Sequence, residues 1–174
     1  MVFGLFGGDD KKNKDDKNVD SSSKDKESTS KSSSSQPGFQ TALGCTALVT
    51  GSSGLCGARL VEMLLERGAS TVICFDLASP SEALQQRLED VVRSKTPGSS
   101  KPNILFRNGA KDGDLTNAAA VEQAFQIVPK IDVVFHIAAL VGPFHDKEKY
   151  YDVNYQGTLT IIEMCKKYKV PKLV

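Results

Sequence analysis

The sequence has little from which to build a metal centre, a disulfide frame or a membrane span. Its two histidines, His136 and His145, do not form a ligand pair at helical spacing. The four cysteines, Cys45, Cys56, Cys74 and Cys165, are scattered without a C-x-x-C pair and fall mostly in apolar runs. They read as buried, reduced thiols of a cytosolic domain, not as a disulfide scaffold or a zinc site. No stretch approaches the roughly 18 apolar residues of a membrane helix. A formal net charge of only +1 argues against nucleic acid as a partner.

The first part of the chain also lacks apolar residues. From Met1 to about Gln36 the composition is Lys, Asp and Ser, with seven lysines matched by seven acids. Such a segment buries too little surface to offset chain entropy, so residues 1–37 are expected to be a disordered tail and residues 38–174 the folded domain. The acids also exclude a transit peptide. Val2-Phe-Gly-Leu-Phe6 is too short for a signal-peptide core and has no basic flank, and Val2 excludes myristoylation. A frayed terminus is expected there, with a weak membrane or partner contact through Phe3, Leu5 and Phe6 as the competing reading.

From Gly44 onward apolar runs alternate with helical patterns, the signature of a parallel sheet covered on both faces. Strands are predicted at Cys45–Thr50, Thr71–Phe75, Asn103–Arg107 and Ile131–Ala138, the last buried on both faces. A first helix carries Ala58, Val61, Leu64 and Leu65 on one face and stops at Arg67-Gly68. A second is predicted to be capped by Ser79, with Pro80 at its first position and Glu82 completing the cap, and to run to about Ser94. Lys95 to Pro102 is a Pro/Gly/Ser-rich loop. A short helix capped by Thr116 turns Val121, Ala124 and Phe125 inward, and a longer one, Tyr151 to about Tyr168, carries Leu159, Ile162 and Cys165 on its apolar stripe. Val170 to Val174 begins a fifth strand. The fold expected is α/β, a Rossmann-type doubly wound parallel sheet of order 3-2-1-4-5, truncated in strand five, so the chain reads as part of a longer protein and strand four as an exposed, unpaired edge.

The chemistry concentrates in Thr50-Gly51-Ser-Ser-Gly54-Leu-Cys-Gly57, a strand, a glycine-rich turn and a helix start. Gly51 permits the sharp exit from the strand, Gly54 lets the backbone approach a pyrophosphate, and Gly57 lets the helix pack close to the sheet. The helix N-terminus offers free N–H groups and its positive pole to the phosphates. An ordinary glycine-rich loop is the bland alternative. Asp76 ends strand two at about the 20-residue offset where a dinucleotide fold places its ribose-binding acid, which repels a 2′-phosphate and selects NAD over NADP. The competing reading is that Asp76 merely opens the next loop.

With that turn and Asp76, three further motifs, Gly113-Asp114-Leu115, His136-Ile-Ala-Ala139 and Val153-Asn154-Tyr-Gln-Gly157-Thr158, resemble the extended short-chain dehydrogenases of the NAD-dependent epimerase/dehydratase superfamily. Within it, the texture of Tyr151 to Thr158 and of Ile162 to Lys167 is closest to the 3β-hydroxysteroid and sterol-4α-carboxylate 3-dehydrogenase group. The resemblance covers Cys45 to Val174. It implies that Gly51, Ser53, Gly54, Leu55, Cys56 and Gly57 hold the pyrophosphate, Asp76 the ribose, and Asp114 and Leu115 the adenine. Ala138 and Ala139 would line the cofactor, and Asn154 would hydrogen-bond near it. Asp114 as a turn residue and Asn154 as a cap are the alternatives. His136 is structural by the same resemblance, and His145 has no partner that would make it catalytic.

The family's reaction needs a Ser or Thr after strand five and a Tyr-x-x-x-Lys pair, and the resemblance puts all of them beyond residue 174. Tyr150, Tyr151 and Tyr155 lack a lysine four residues on. Tyr168 and Lys172 have the spacing, but Pro171 interrupts the helix that would align them. The function implied is the NAD-binding part of an oxidoreductase acting on the CH–OH group of a 3β-hydroxysteroid or sterol, inactive without the missing residues. In the sterol-carboxylate branch the β-keto acid product would lose CO₂. A nucleotide-sugar epimerase or dehydratase and a non-catalytic dinucleotide-binding redox sensor are the alternatives. The partners expected are a small-molecule sterol or steroid in the complete protein, a second copy in a homodimer, and a membrane only through chain beyond residue 174. The expected location is the cytoplasm, or for the complete protein the cytosolic face of the endoplasmic reticulum.

Overall fold

A computed structural model of the protein describes residues 44–94 and 100–174. The predicted N-terminal tail, its apolar start and residues 95–99 of the predicted loop lie outside the described residues.

Four parallel strands form one sheet, in the order β3-β2-β1-β4. They are β1 (Thr46–Thr50), β2 (Thr71–Asp76), β3 (Asn103–Asn108) and β4 (Val133–His136). The central strand β1 has β2 and β4 as neighbours, with Leu48 opposite Ile73 on one side and Val134 on the other. Strand alternation then divides the core in two. Ala47, Val49, Val72 and Cys74 pack under helices α1 (Leu55–Glu66) and α2 (Glu82–Arg93), against Val61, Leu65, Leu84 and Leu88. Leu48, Ile73, Phe75 and Val134 face the other way, against α4 (Ala118–Gln126) and α6 (Gly157–Lys167). The four apolar positions expected on the first helix, Ala58, Val61, Leu64 and Leu65, are all buried. Gly68 follows that helix at φ 93°, the left-handed conformation that ends helices.

Several boundaries move for identifiable reasons. Ser81, not Ser79, caps α2: its dihedrals are extended and its hydroxyl accepts from the Leu84 N–H, so Glu82 opens the helix. Thr116 does not cap α4, because its N–H and its hydroxyl both donate to Asp114 Oδ1 at 2.9 and 2.8 Å. Asn117 takes the position and accepts from the N–H groups of Ala119 and Ala120. A one-turn helix α3 (Gly109–Asp112), absent from the sequence reading, joins β3 to this region.

β4 is shorter than predicted and only Val134 of its residues is fully buried. Asp132 leaves the apolar pattern to accept from the Thr46 N–H, and past His136 the N–H groups of Ile137 and Ala138 turn to the Thr50 hydroxyl. Nor is its outer edge bare. Val134 N–H donates to the Lys172 carbonyl, Val174 N–H to that of Val134, and His136 N–H to that of Val174, all within 2.8–2.9 Å.

The long C-terminal helix is three pieces, α5 (Lys147–Tyr150), a π-helical turn (Tyr151–Gln156) and α6. The wider turn resets the helix phase. The buried row of α6 is Gly157, Ile161 and Cys165 in place of Leu159, Ile162 and Cys165, and Leu159 is exposed. Gly157 fixes that row by close approach: a Cβ on it would fall 2.6 Å from the Leu115 side chain.

Candidate active site

Because the strands are parallel and in register, their C-terminal ends meet at one edge. Thr50 lies level with Phe75 and with His136, and Asp76 with Asn108. This edge is where open α/β sheets bind ligands.

The turn after β1 is built for close approach. Gly51 has φ +70°, and a Cβ there would meet the Ala138 backbone nitrogen at 2.8 Å. Gly57 is closer still, since its Cβ would lie 2.0 Å from the Gly51 carbonyl oxygen. Gly57, the third glycine, therefore lets the start of α1 seat on the backbone that leaves β1. Gly54 differs from both. Its backbone is extended (φ −73°, ψ 169°), and a Cβ would meet only the Gly51 oxygen, at 3.3 Å. The fold therefore presses on Gly54 far less than on Gly51 or Gly57, and a ligand lying against the turn would add its own demand for glycine. Gly54 caps α1 with no side-chain hydrogen bond, and the first turn carries no acid. The positive end of the helix and its unpaired N–H groups are thus available to an anion.

Ser53 bolts this turn to the end of β2. Its N–H donates to Asp76 Oδ2 at 2.8 Å, and its hydroxyl donates to the Ala78 carbonyl. Asp76 also accepts from the Ala78 N–H, so its carboxylate stands at the rim of the turn with both oxygens engaged by backbone. Behind it Gly113 approaches so closely that a Cβ would lie 2.0 Å from the Asp76 carbonyl oxygen. A cleft of about 530 Å³ runs from Ser53 and Gly54 between α1 and α2, where the Glu62 carboxylate joins Arg59 and Arg87 at 2.9 and 2.7 Å. The Arg87 bond first, with help from Arg59, holds the Glu62 carboxyl below the usual carboxylate range against the effect of burial.

The other residues expected at the site divide. Leu55 is 92% exposed and Cys56 is exposed on the first turn of α1, so Cys56 departs from the expected buried thiol. Cys74 and Cys165 are buried, and burial pushes the Cys74 thiol up to about 12. Asp114 does serve as a turn residue through the oxygen that holds Thr116. The Leu115 side chain turns into the core with only 7% exposure, so a contact to adenine there would fall to its backbone. Ala138 is half-buried against Gly51, and Ala139 is exposed beyond it. Asn154 is no helix cap. Its amide grips the backbone of Leu140, accepting from the N–H at 2.8 Å and donating to the carbonyl at 2.9 Å, which fixes the loop after β4.

His136 lies between β1 and α6, with Nδ1 2.8 Å from the Thr50 hydroxyl and Nε2 2.9 Å from that of Thr158. Burial pushes its pKa down. Thr50 and Thr158 are contributors that the sequence reading did not single out, and only their position in the motifs around them could have signalled it. His145 packs tilted against Tyr150, with ring centres 5.7 Å apart and planes at 59°. Tyr168 and Lys172 do not share a helix: α6 ends at Lys167, Lys169 turns through φ 53°, and the Tyr168 phenol bonds to Glu122 and Gln126. Among the described residues no cluster of His, Cys, Asp and Glu could hold a metal ion, and no helix is long and apolar enough to cross a membrane.

Residues 47–174 match the NAD dependent epimerase/dehydratase family. The chain belongs to this family. A mouse relative, "Sterol-4-alpha-carboxylate 3-dehydrogenase, decarboxylating", is 33% identical over 130 residues, covering 75% of this chain and 28% of that protein. "UDP-glucose 4-epimerase 2" of Arabidopsis thaliana is equally similar, 33% over 132 residues, covering 74% of the chain and 35% of the relative. The chain thus spans about a third of the length of these curated relatives. Among solved structures, the Bordetella bronchiseptica enzyme WbmH in complex with NAD+ superposes with a TM-score of 0.55 at 25% identity, covering 74% of this chain and 38% of its own. A Burkholderia cenocepacia short chain dehydrogenase in complex with NADP gives 0.52 at 27%, covering 73% and 49%. Its parallel sheet flanked by helices is the Rossmann-type arrangement seen in these NAD- and NADP-bound structures. The glycine turn, the α1 terminus with no side-chain cap and Asp76 at the rim fit a dinucleotide.

Proposed function

We propose that this chain is the NAD-binding part of an oxidoreductase that acts on the CH–OH group of a 3β-hydroxysteroid or sterol. The observation that carries the cofactor half is the turn Gly51–Gly57. It sets Gly54, where a Cβ would meet only the Gly51 oxygen, in front of a helix terminus with no side-chain cap, beside a carboxylate that would accept from ribose hydroxyls and repel a 2′-phosphate. Bound NAD would supply the hydride acceptor. The chain's own residues bind and orient: the turn and α1 take the pyrophosphate, Asp76 the ribose, and Ala138 and Ala139 leave room beside them. Asn154 keeps their loop in place through Leu140. The proton-transfer residues are assigned to chain beyond residue 174.

Similarity to the mouse sterol dehydrogenase supports the substrate class. The equal similarity to the plant epimerase supports a second reading, conversion of a nucleotide sugar on the same cofactor platform. The reading carries a cytoplasmic location, with the complete protein on the cytosolic face of the endoplasmic reticulum. Two measurements test it. Calorimetric titration of the chain should show NAD binding, with NADP weaker. The complete gene product, given a 3β-hydroxysterol carboxylate or UDP-glucose with NAD, should form NADH with the sterol. Epimerised sugar and no sterol-dependent NADH would favour the second reading, and absence of NAD binding would overturn both.

A further inference from the structure

We propose that His136 is a positioning residue of the dinucleotide site, a neutral imidazole with its proton on Nε2 that ties the loop after β4 to α6. The inference rests on the NAD-binding reading above, and the donors and acceptors around the ring fix the tautomer. Thr158 has one hydroxyl proton, and it goes to the Asn154 carbonyl at 2.6 Å, so Thr158 can only accept from Nε2. The Thr50 oxygen accepts the N–H groups of Ile137 and Ala138, each at 3.2 Å, so its proton points to Nδ1 at 2.8 Å. One continuous chain of hydrogen bonds therefore runs from the π-helical turn through Thr158, His136 and Thr50 to the backbone of Ile137 and Ala138. That backbone is the wall against which Gly51 is packed.

A second proton on the ring would set Nδ1–H against the Thr50 hydroxyl, which is already receiving two donors. The hydroxyl would have to rotate away, and the loop would lose its tether. Both ring nitrogens are partnered by hydroxyls and neither by a carboxylate. β1 and β4 carry no other ionisable side chain, exposed Lys172 lies on the neighbouring edge segment, and Tyr151, Asp152 and Tyr155, all exposed, lie on the π-helical turn. The ionisable groups of α6 are Glu163, Cys165, Lys166 and Lys167, all beyond Thr158. Burial alone accounts for the depressed basicity of the ring. The neutral form is therefore the working form, and acid should weaken dinucleotide binding.

The test uses the chain itself, with NAD as the probe. Affinity is measured by calorimetry from about pH 5 to 8, the range in which histidine titrates. Binding by the parent should weaken as the pH falls. His136→Phe should weaken NAD about tenfold at the upper end, the size of one lost hydrogen bond, and flatten the profile. His136→Gln, which keeps a donor toward Thr158, should recover part of the affinity and stay flat. Nitrogen-15 spectra of the ligand-free protein should show the proton on Nε2, and hydrogen exchange at Ile137 and Ala138 should quicken in His136→Phe. If that variant does not fold, Thr158→Val should quicken the same amides. A proton on Nδ1, or a His136→Phe protein with parental affinity, pH profile and exchange, would overturn the proposal. A parent that binds no NAD at any pH overturns the dinucleotide reading, and the tautomer and exchange data then decide the tether alone.

Discussion

Substituting alanine for Gly54 and for Gly57 separates what the fold requires from what a ligand requires. At Gly57 the added Cβ would sit 2.0 Å from the Gly51 carbonyl oxygen, 2.7 Å from its carbon and 2.9 Å from Ser52 Cα. All three are backbone atoms, so the turn has to move, and overpacking of this kind typically costs about 1–3 kcal/mol. At Gly54 the new methyl would meet one atom, the Gly51 oxygen, at 3.3 Å, in a conformation open to any residue. Two small terms then oppose each other there. Alanine is a poorer N-cap than glycine by several tenths of a kcal/mol, while the stiffer unfolded chain returns about 0.4–1 kcal/mol. The net change in stability should lie within about 0.5 kcal/mol. Dinucleotide affinity should nevertheless drop at least tenfold, about 1.4 kcal/mol, because the methyl stands where a phosphate must approach. The assay pairs urea unfolding with NAD titration on the same preparations. Gly57→Ala should lose stability, and Gly54→Ala should keep stability and lose binding. A Gly54→Ala protein that binds NAD as tightly as the parent would show that the phosphates do not lie over this turn.

Three further outcomes follow from the site and its supports. Asp76→Ala removes the acceptor for both Ser53 and Ala78, so it should lower stability by about 1–3 kcal/mol and shift the NAD-to-NADP affinity ratio toward NADP, read by paired titrations. An unchanged ratio would rule out Asp76 as the selector. Glu62 is held below its ordinary range chiefly by Arg87, so its contribution is complete above the unfolded value of about 4.3 and is lost as the pH falls through the lower folded value. Glu62→Gln should flatten the acid limb of a stability-against-pH curve, and an unaltered slope would refute the bridge between α1 and α2. Thiol labelling of the native protein, read by mass spectrometry, should modify exposed Cys56 well before Cys74, whose thiol is buried and pushed up to about 12. Equal rates would contradict the packing of β2.

Local pattern in the chain was enough for the four strands, the parallel sheet, the inward faces of the helices at α1 and α4, and the glycine turn with its acid. Those features depend on residues a few positions apart, and periodicity or spacing reports them directly. Tertiary structure decided the rest through bonds that close across the chain. Thr50 reaches His136 and Asp132 reaches Thr46 over 86 residues in each case. Asp76 finds Ser53 over 23 residues. These partners set where β4 ends, which way the Asp76 carboxylate faces and which proton His136 carries. Competition among near neighbours was equally hidden: Asp114 claimed Thr116 and left the cap of α4 to Asn117. The π-helical turn before Gly157 likewise shifted the buried row of α6, because the contact of Gly157 with Leu115 outweighed the helical period written in the sequence. Sequence determined which residues could face inward and which turn could hold a phosphate, and packing chose among equivalent hydroxyls, amides and helix phases, since only in the folded chain do their partners stand within reach.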